Sequence, residues 1–215
     1  IEMEPLPDDS ESLTQENQVK ANPWKTVSGR VHYDNPWITV REDQVIRPNG
    51  QPGIYGVVHF KNRAIGVLPV EDDGSIWLVG QHRYPLNTYS WEIPEGGCPP
   101  HETPEDTARR ELQEETGISA GHLELIGTLH LSNSVSDEVG FLYRATQLTH
   151  GPNDPEETEQ LEVRRVSWPV ARALLDRGEI TDSLSVVALL KEALRRAEQS
   201  APKGPLSHPH STPNP

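Results

Sequence analysis

Glu111, Glu114 and Glu115 stand three and four residues apart, so if this stretch is helical their carboxylates share one face. Like charges at that spacing repel by a few tenths of a kcal/mol in water, and most helices with three glutamates simply present a solvated acidic surface. Two upstream features argue for more than that here. Glu102 precedes the stretch, and the loop Gly96-Gly97-Cys98-Pro99-Pro100 can bring backbone carbonyls to the same face. Clustered carboxylate and carbonyl oxygens suit hard divalent ions such as Mg²⁺ or Mn²⁺. Magnesium keeps several waters and takes phosphate oxygens as further ligands, so the chemistry indicated is cleavage of a phosphate ester or a pyrophosphate.

These groups need a capped helix to hold them. Thr103 suits an N-cap, Pro104 the first helical position and Asp106 the place of a capping-box acid, while Gly117 supplies a left-handed stop. The glycines and prolines from Gly96 to Pro100 exclude regular structure before residue 103. Around this helix the chain reads mainly as strands: 25–33, 37–46, 53–60, 122–131, 139–145 and 161–166, with a hairpin over 64–79 turning at Glu71-Asp72-Asp73-Gly74. Residues 169–177 and 183–197 read as helices, the second with Leu184, Val187, Leu190, Ala193 and Leu194 along one side. Strands interleaved with helices predict a sheet covered by helices, class α+β or α/β.

Composition narrows the partners. The 215 residues suit one domain with tails, and the net charge of −14 argues against a protein that coats nucleic acid or a membrane surface. The first twenty residues carry six acids against one lysine and few large apolar groups, and prolines punctuate residues 199–215. Both ends are expected to be disordered tails. Cys98 is the only cysteine, which rules out an intramolecular disulfide. No histidine or helix terminus can be assigned to activate it as a nucleophile. No signal-peptide pattern and no run of about 18 apolar residues is evident, so the chain is expected to be soluble and cytoplasmic.

The spacing from Gly96 to Ile118, Gly-x5-Glu-x7-Arg-Glu-aliphatic-x-Glu-Glu-x-Gly-aliphatic, resembles the Nudix box. The runs Gln81-His82-Arg83-Tyr84-Pro85 and Trp91-Glu92-Ile93-Pro94-Glu95-Gly96-Gly97 resemble the ADP-ribose and nucleoside-diphosphate-sugar pyrophosphatase branch of the Nudix hydrolases. So do Ser136-Asp137-Glu138 and Asp182-Ser183. The resemblance covers roughly residues 24–197. It implies an α+β fold, the α/β/α Nudix sandwich, with a mixed central sheet and an N-terminal antiparallel extension. The organisation it implies is an acidic tail over 1–22, a dimerising strand extension over 23–50, a catalytic domain over 51–198 and a Pro-rich tail over 199–215.

Position by position, the resemblance implies that Glu111 and Glu115 are the principal metal ligands, with Glu114 lining the site and the main-chain carbonyl of Glu95 as a further ligand. Arg110 would pair with acidic neighbours, Glu102 among them, and hold the loop on the helix. Arg83 would contact the diphosphate, for which a guanidinium fork is suited, and Glu138 would help position a metal or the water. The catalytic base would come from the acidic stretch PNDPEETEQLE, residues 152–162, with Glu159 favoured, then Glu157, and Glu156 and Glu162 as further candidates. Trp24, Tyr33 and Trp37 are candidates to stack on a nucleobase, and the strands that carry them resemble the sheet through which such enzymes form homodimers. Glu95 departs from the ADP-ribose pattern, which has a small residue there.

The expected activity is Mg²⁺-dependent (or Mn²⁺-dependent) hydrolysis of a nucleoside diphosphate sugar, ADP-ribose, GDP-mannose or similar, to a nucleoside monophosphate and a sugar phosphate. A nucleoside triphosphate or dinucleoside polyphosphate hydrolase is the nearest alternative, and a non-catalytic nucleotide-sugar sensor the alternative of another class. An RNA decapping role would need a basic path that no Lys/Arg cluster provides.

Overall fold

The computed structural model describes residues 21–152 and 161–200, which fall into two compact units: the segment up to Phe60 with Ser134–Ser136, and Lys61–Asn133 with the chain from Asp137 onward. The first unit is an antiparallel sheet of β1 (Lys25–Asp34), β2 (Ile38–Ile46) and β3 (Pro52–Phe60), in that order. Asn35 makes the first turn, its Oδ1 accepting from the backbone N–H groups of Trp37 and Ile38 at 2.9 and 2.7 Å. The strand 53–60, assigned from sequence to the catalytic segment, pairs with β2 along its length, from Ile38↔Phe60 to Ile46↔Pro52.

The second unit is built on β4 (Arg63–Pro69), β5 (Ile76–Arg83), β6 (Thr88–Glu92), β7 (Glu95–Cys98), β8 (Ile118–His130), β9 (Val139–His150) and β10 (Glu162–Val166). Its helices are α1 (Pro104–Thr116), α2 (Trp168–Asp176) and α3 (Ser183–Ser200). The central sheet is mixed, in the order β7-β4-β9-β8 with β4 and β9 parallel, and a second, antiparallel sheet runs β10-β5-β6.

Side-chain alternation along β4 explains its near-continuous apolar sequence. Ile65 and Val67 point into one buried cluster with Ala108 and Leu112 of α1, whereas Leu68 and the following Val70 point into another with Ala171 of α2 and Leu184, Ala188 and Leu189 of α3. Helices therefore cover this sheet on both faces, as the α/β/α expectation requires. No described helix is long and apolar enough to cross a membrane.

Three local expectations are corrected. The turn at residues 71–75 forms, with Glu71 N–H donating to the Ser75 carbonyl at 2.9 Å. The flanking strands do not make a hairpin ladder, however. Both edges of β4 are taken by β7 and β9, and both edges of β5 by β6 and β10, so only the bridge Val70↔Ile76 joins them. Second, residues 95–98 are regular: β7 pairs with β4 from Arg63↔Cys98 to Gly66↔Glu95, its glycines tolerating an extended ladder between tight neighbours. Third, α3 runs on to Ser200, and it buries Leu184, Ser185, Ala188, Leu189 and Glu192, while Leu190 and Leu194 are exposed. Glu192 can join the buried stripe because it lies between two arginines, Arg144 Nε at 2.8 Å and Arg196 Nε at 2.7 Å.

Candidate active site

Helix α1 forms as its sequence dictates. Thr103 Oγ1 accepts from Asp106 N–H at 3.1 Å, Pro104 opens the first turn, and Gly117 ends it at φ 71° with its N–H on the Gln113 carbonyl. Ala108 and Leu112 anchor the inner face, which leaves the glutamates along the side facing β7.

Arg110 organises that side. Its guanidinium lies 2.8 Å from carboxylate oxygens of both Glu111 and Glu114, 3.2 Å from Glu102 Oε2 and 3.3 Å from the Gly97 carbonyl. Burial pulls the Arg110 pKa down, but Glu111, Glu114 and Glu102 outweigh it and hold the group above the ordinary arginine value. Glu102 is held below the usual carboxylate range, first by the Thr107 hydroxyl at 2.7 Å and then by Arg110. The box loop is thereby tied to the helix that follows it.

Glu115 is 1% exposed, and its Oε2 accepts the Glu95 backbone N–H at 3.0 Å. This contact sets the main chain of β7 directly against the acidic helix face. Gly96 makes the approach possible, because a Cβ there would land on the Glu111 carboxyl group. Gly96→Ala is therefore expected to displace Glu111 and lower kcat by about a hundredfold, the scale of an ångström-level misplacement. Steady-state kinetics on the folded variant would test this, and an unchanged kcat would show that Glu111 placement is irrelevant.

A second set of acids lies on the other side of Glu95. Glu92 is buried and is gripped by Arg83, whose Nε is 3.0 Å from both carboxylate oxygens and whose Nη2 also reaches Oε2. Hydrogen bonding to the Glu92 carboxylate raises the Arg83 pKa against the opposing effect of burial, and the charges of Glu92, Glu95 and Asp182 add to it. Glu95 itself is pushed well above the usual carboxylate range, first by burial, then by a hydrogen bond with Asp182 and the charges of Asp182 and Glu92. Glu138 is raised by burial and then by Asp137 and Asp182. Arg83, Ser90, Glu92, Thr181 and Asp182 line a cavity of about 180 Å³ with Pro85 and Leu86.

Sequence reasoning missed Glu92 as the partner of Arg83, and Asp182 and Ser185 as neighbours of Glu95. Glu92 was visible only as a polar residue inside an apolar run, and Asp182 as a helix cap three residues before Ser185. Glu157 and Glu159, with Glu156, lie outside the described residues. Glu162 does not: it opens β10 on the surface, held by Arg164 at 2.6 Å and the Tyr89 hydroxyl at 3.2 Å. The stretch that leads to these acids is pinned to the end of α1, where Gly151 N–H meets the Gly117 carbonyl at 2.8 Å and Gln113 Nε2 donates to the Pro152 carbonyl at 3.0 Å. Trp24, Tyr33 and Trp37 belong to the N-terminal sheet unit; Tyr33 and Trp37 are 55% and 67% exposed, and Trp24 packs edge-on against Tyr55. Cys98 is buried with an Arg63 nitrogen 3.0 Å from its sulfur, and the same guanidinium binds the Glu102 carbonyl at 2.7 Å, a bracing arrangement for the loop.

Among the described residues, no three His, Cys, Asp or Glu side chains converge as a ready metal cage. The geometry gives the reason: Glu111 and Glu114 are drawn to Arg110 and Glu115 to the Glu95 amide. The donor set nonetheless fits a hard divalent cation. The carboxyl groups of Glu102, Glu111 and Glu114 gather around one guanidinium, and that of Glu115 lies on the same helix against the Glu95 amide, a set of oxygen donors. Oxygen donors of this kind suit a divalent metal ion.

Known proteins place the chain. The family described as NUDIX domain matches residues 60–187, and that described as nucleoside diphosphate sugar hydrolase N-terminal domain matches residues 24–58. The chain is 33% identical over 177 residues to an ADP-ribose pyrophosphatase of Bacillus subtilis (strain 168), spanning 80% of this chain and 95% of that protein. It is 31% identical over 175 residues to an ADP-ribose pyrophosphatase of Mycobacterium tuberculosis, spanning 78% and 82%. A methanol dehydrogenase activator of Bacillus methanolicus is 31% identical over 177 residues, spanning 80% and 95%. The crystal structure of an ADP compounds hydrolase shares the fold, with a TM-score of 0.76 at 20% identity over 84% of this chain and 98% of that one. With the box on helix α1, its glycine against Glu111 and a family match over most of the chain, this protein belongs to the NUDIX family of hydrolases.

Proposed function

We propose that the chain hydrolyses the diphosphate bond of a nucleoside diphosphate sugar, ADP-ribose foremost, releasing a nucleoside monophosphate and a sugar phosphate. The observation that carries this reading is the acidic face of α1 seated against the Glu95–Gly96 main chain, in a chain whose residues 24–58 match a nucleoside diphosphate sugar hydrolase N-terminal domain. The two ADP-ribose pyrophosphatases similar over most of the chain support the choice of substrate.

Glu111 and Glu115, with Glu114 and the main-chain carbonyl of Glu95, would hold a divalent ion, Mg²⁺ or Mn²⁺. Bound there, the ion supplies neutralising charge and lowers the pKa of coordinated water. Arg110 keeps Glu111 and Glu114 in place and fixes the loop through Glu102 and Gly97. Arg83, oriented by Glu92, offers guanidinium N–H groups to diphosphate oxygens. Glu138 positions the attacking water, whose oxygen bonds to one phosphorus as the bridging P–O bond breaks. The base that takes its proton is assigned to Glu159, then Glu157, in the stretch that starts from the end of α1. Tyr33 and Trp37 are assigned to the nucleobase, and dimerisation to the N-terminal strands. Support for the latter comes from β1, exposed at every position and bearing Val27, Val31 and Tyr33.

Hydrolysis of ADP-ribose, GDP-mannose and dATP in Mg²⁺, followed by separation of the products, tests the reading. A nucleotide sugar is expected to be preferred over dATP by about a hundredfold in kcat/KM. Turnover of dATP alone would overturn it.

A further inference from the structure

We propose that Ser185, on the last helix of the chain, is a positioning residue for the metal-binding face of α1, acting through Glu95. The inference rests on the metal assignment made above and extends it to an element that carries none of the ligands.

Ser185 is fully buried, and its hydroxyl makes two bonds at once. It accepts the Ile93 backbone N–H at 2.9 Å and donates to Glu95 Oε1 at 3.1 Å. Its own N–H is capped by Asp182 Oδ2 at 2.8 Å, so the first turn of α3 is fixed before it reaches the strand. Two residues past Ile93, the Glu95 N–H donates to Glu115 Oε2 at 3.0 Å. The chain of contacts thus runs from the α3 cap through one hydroxyl to residues 93–95, and from there to Glu115.

The packing is built for this approach. Gly66, the register partner of Glu95 on β4, leaves room for Ile93, since a Cβ there would lie 2.9 Å from Ile93 Cδ1 and 3.0 Å from Leu142 Cδ2, with Leu184 Cβ of the helix in ordinary contact at 3.4 Å. A Cβ on Gly140 of the adjacent β9 would come within 2.7 Å of Leu184 Cδ2. The α3 start therefore sits close against the strands that carry the site. Ser185 is small enough to fit between them and polar enough to hold both the amide of Ile93 and the carboxyl of Glu95. Groups that orient a ligand from the next layer out commonly change metal affinity tenfold or more when removed.

The test uses the full chain and Mn²⁺ alone, with bound and free ion separated by electron paramagnetic resonance. Ser185→Ala is expected to raise the Mn²⁺ dissociation constant by about tenfold. Ser185→Thr, which keeps the hydroxyl, should recover most of the affinity, and Ile180→Val, which trims the same core cluster without removing any of these hydrogen bonds, should leave it unmoved. An unchanged dissociation constant in Ser185→Ala overturns the inference, as does an equal loss in Ile180→Val, which would mark a general loosening. Glu115→Gln separates the two levels. If it weakens Mn²⁺ and Ser185→Ala does not, only the role of Ser185 falls; if it leaves Mn²⁺ binding intact, the metal assignment falls and this inference with it. Should Ser185→Ala fold poorly, Gly66→Ala, which presses on Ile93, the residue whose N–H bonds Ser185, is expected to weaken Mn²⁺ in the same direction, and no weakening would count against the proposal.

Discussion

Glu115→Gln is expected to lower kcat on ADP-ribose by about a thousandfold, roughly 4 kcal/mol of transition-state stabilisation, while the protein remains folded. The substitution is nearly isosteric, and the amide oxygen of glutamine can still accept the Glu95 N–H that Glu115 Oε2 now accepts. The loss would therefore come from the removed charge. If the nucleotide contacts proposed for Arg83, Tyr33 and Trp37 do not depend on Glu115, the inactive variant keeps a measurable dissociation constant for ADP-ribose. A rate equal to that of the parent would end the assignment of Glu115 as a ligand.

Glu192→Ala should cost about 3–5 kcal/mol of stability, because it leaves two arginines without the buried carboxylate between them. The Glu192 side chain is 2% exposed, and those of Arg144 and Arg196 are 15% and 24% exposed, so water replaces little of the lost interaction. Arg196 is held in addition by the Gly74 carbonyl at 2.9 Å and by the Trp168 ring at 4.1 Å, which limits its freedom to swing outward. The corresponding fall in Tm is roughly 10 °C for a domain of this size. Thermal unfolding followed by circular dichroism reads it directly, and a shift of a degree or two would show that the arginines re-solvate freely. Because this cluster stabilises the seat of α3 on the sheet, the variant should also unfold at lower urea concentration with little change in slope.

The parts of the site that were legible in the sequence are those governed by neighbours within a few residues. The caps of α1, its stop at Gly117 and the shared face of Glu111, Glu114 and Glu115 follow from helix geometry alone. The pairing of strands did not follow. The residues flanking the turn at 71–75 look like a hairpin because two apolar runs meet at a turn signal, yet an apolar run says that a strand is buried and not which strand lies beside it. Here β9 and β7 outcompete β5 for the edges of β4. The face of α3 was misread for a related reason. Leu190 and Leu194 are more apolar than Glu192, but the stripe of Leu184, Ala188 and Leu189 that meets the core carries Glu192 inward with it, where Arg144 from a distant strand and Arg196 from the next turn neutralise it.

By itself the sequence determined the family, the acidic helix face and the kind of ion that such oxygens attract, because the box is contiguous and its chemistry is set by spacing along one helix. Only the tertiary structure decided how the surrounding charges are distributed. Glu92 meets Arg83 across the β5–β6 pair, Arg110 gathers three carboxylates and a loop carbonyl, and Ser185 reaches Glu95 from 90 residues away. Those contacts depend on strand order and on where α3 comes to rest, which are settled by long-range packing of the core and leave no local mark in the chain.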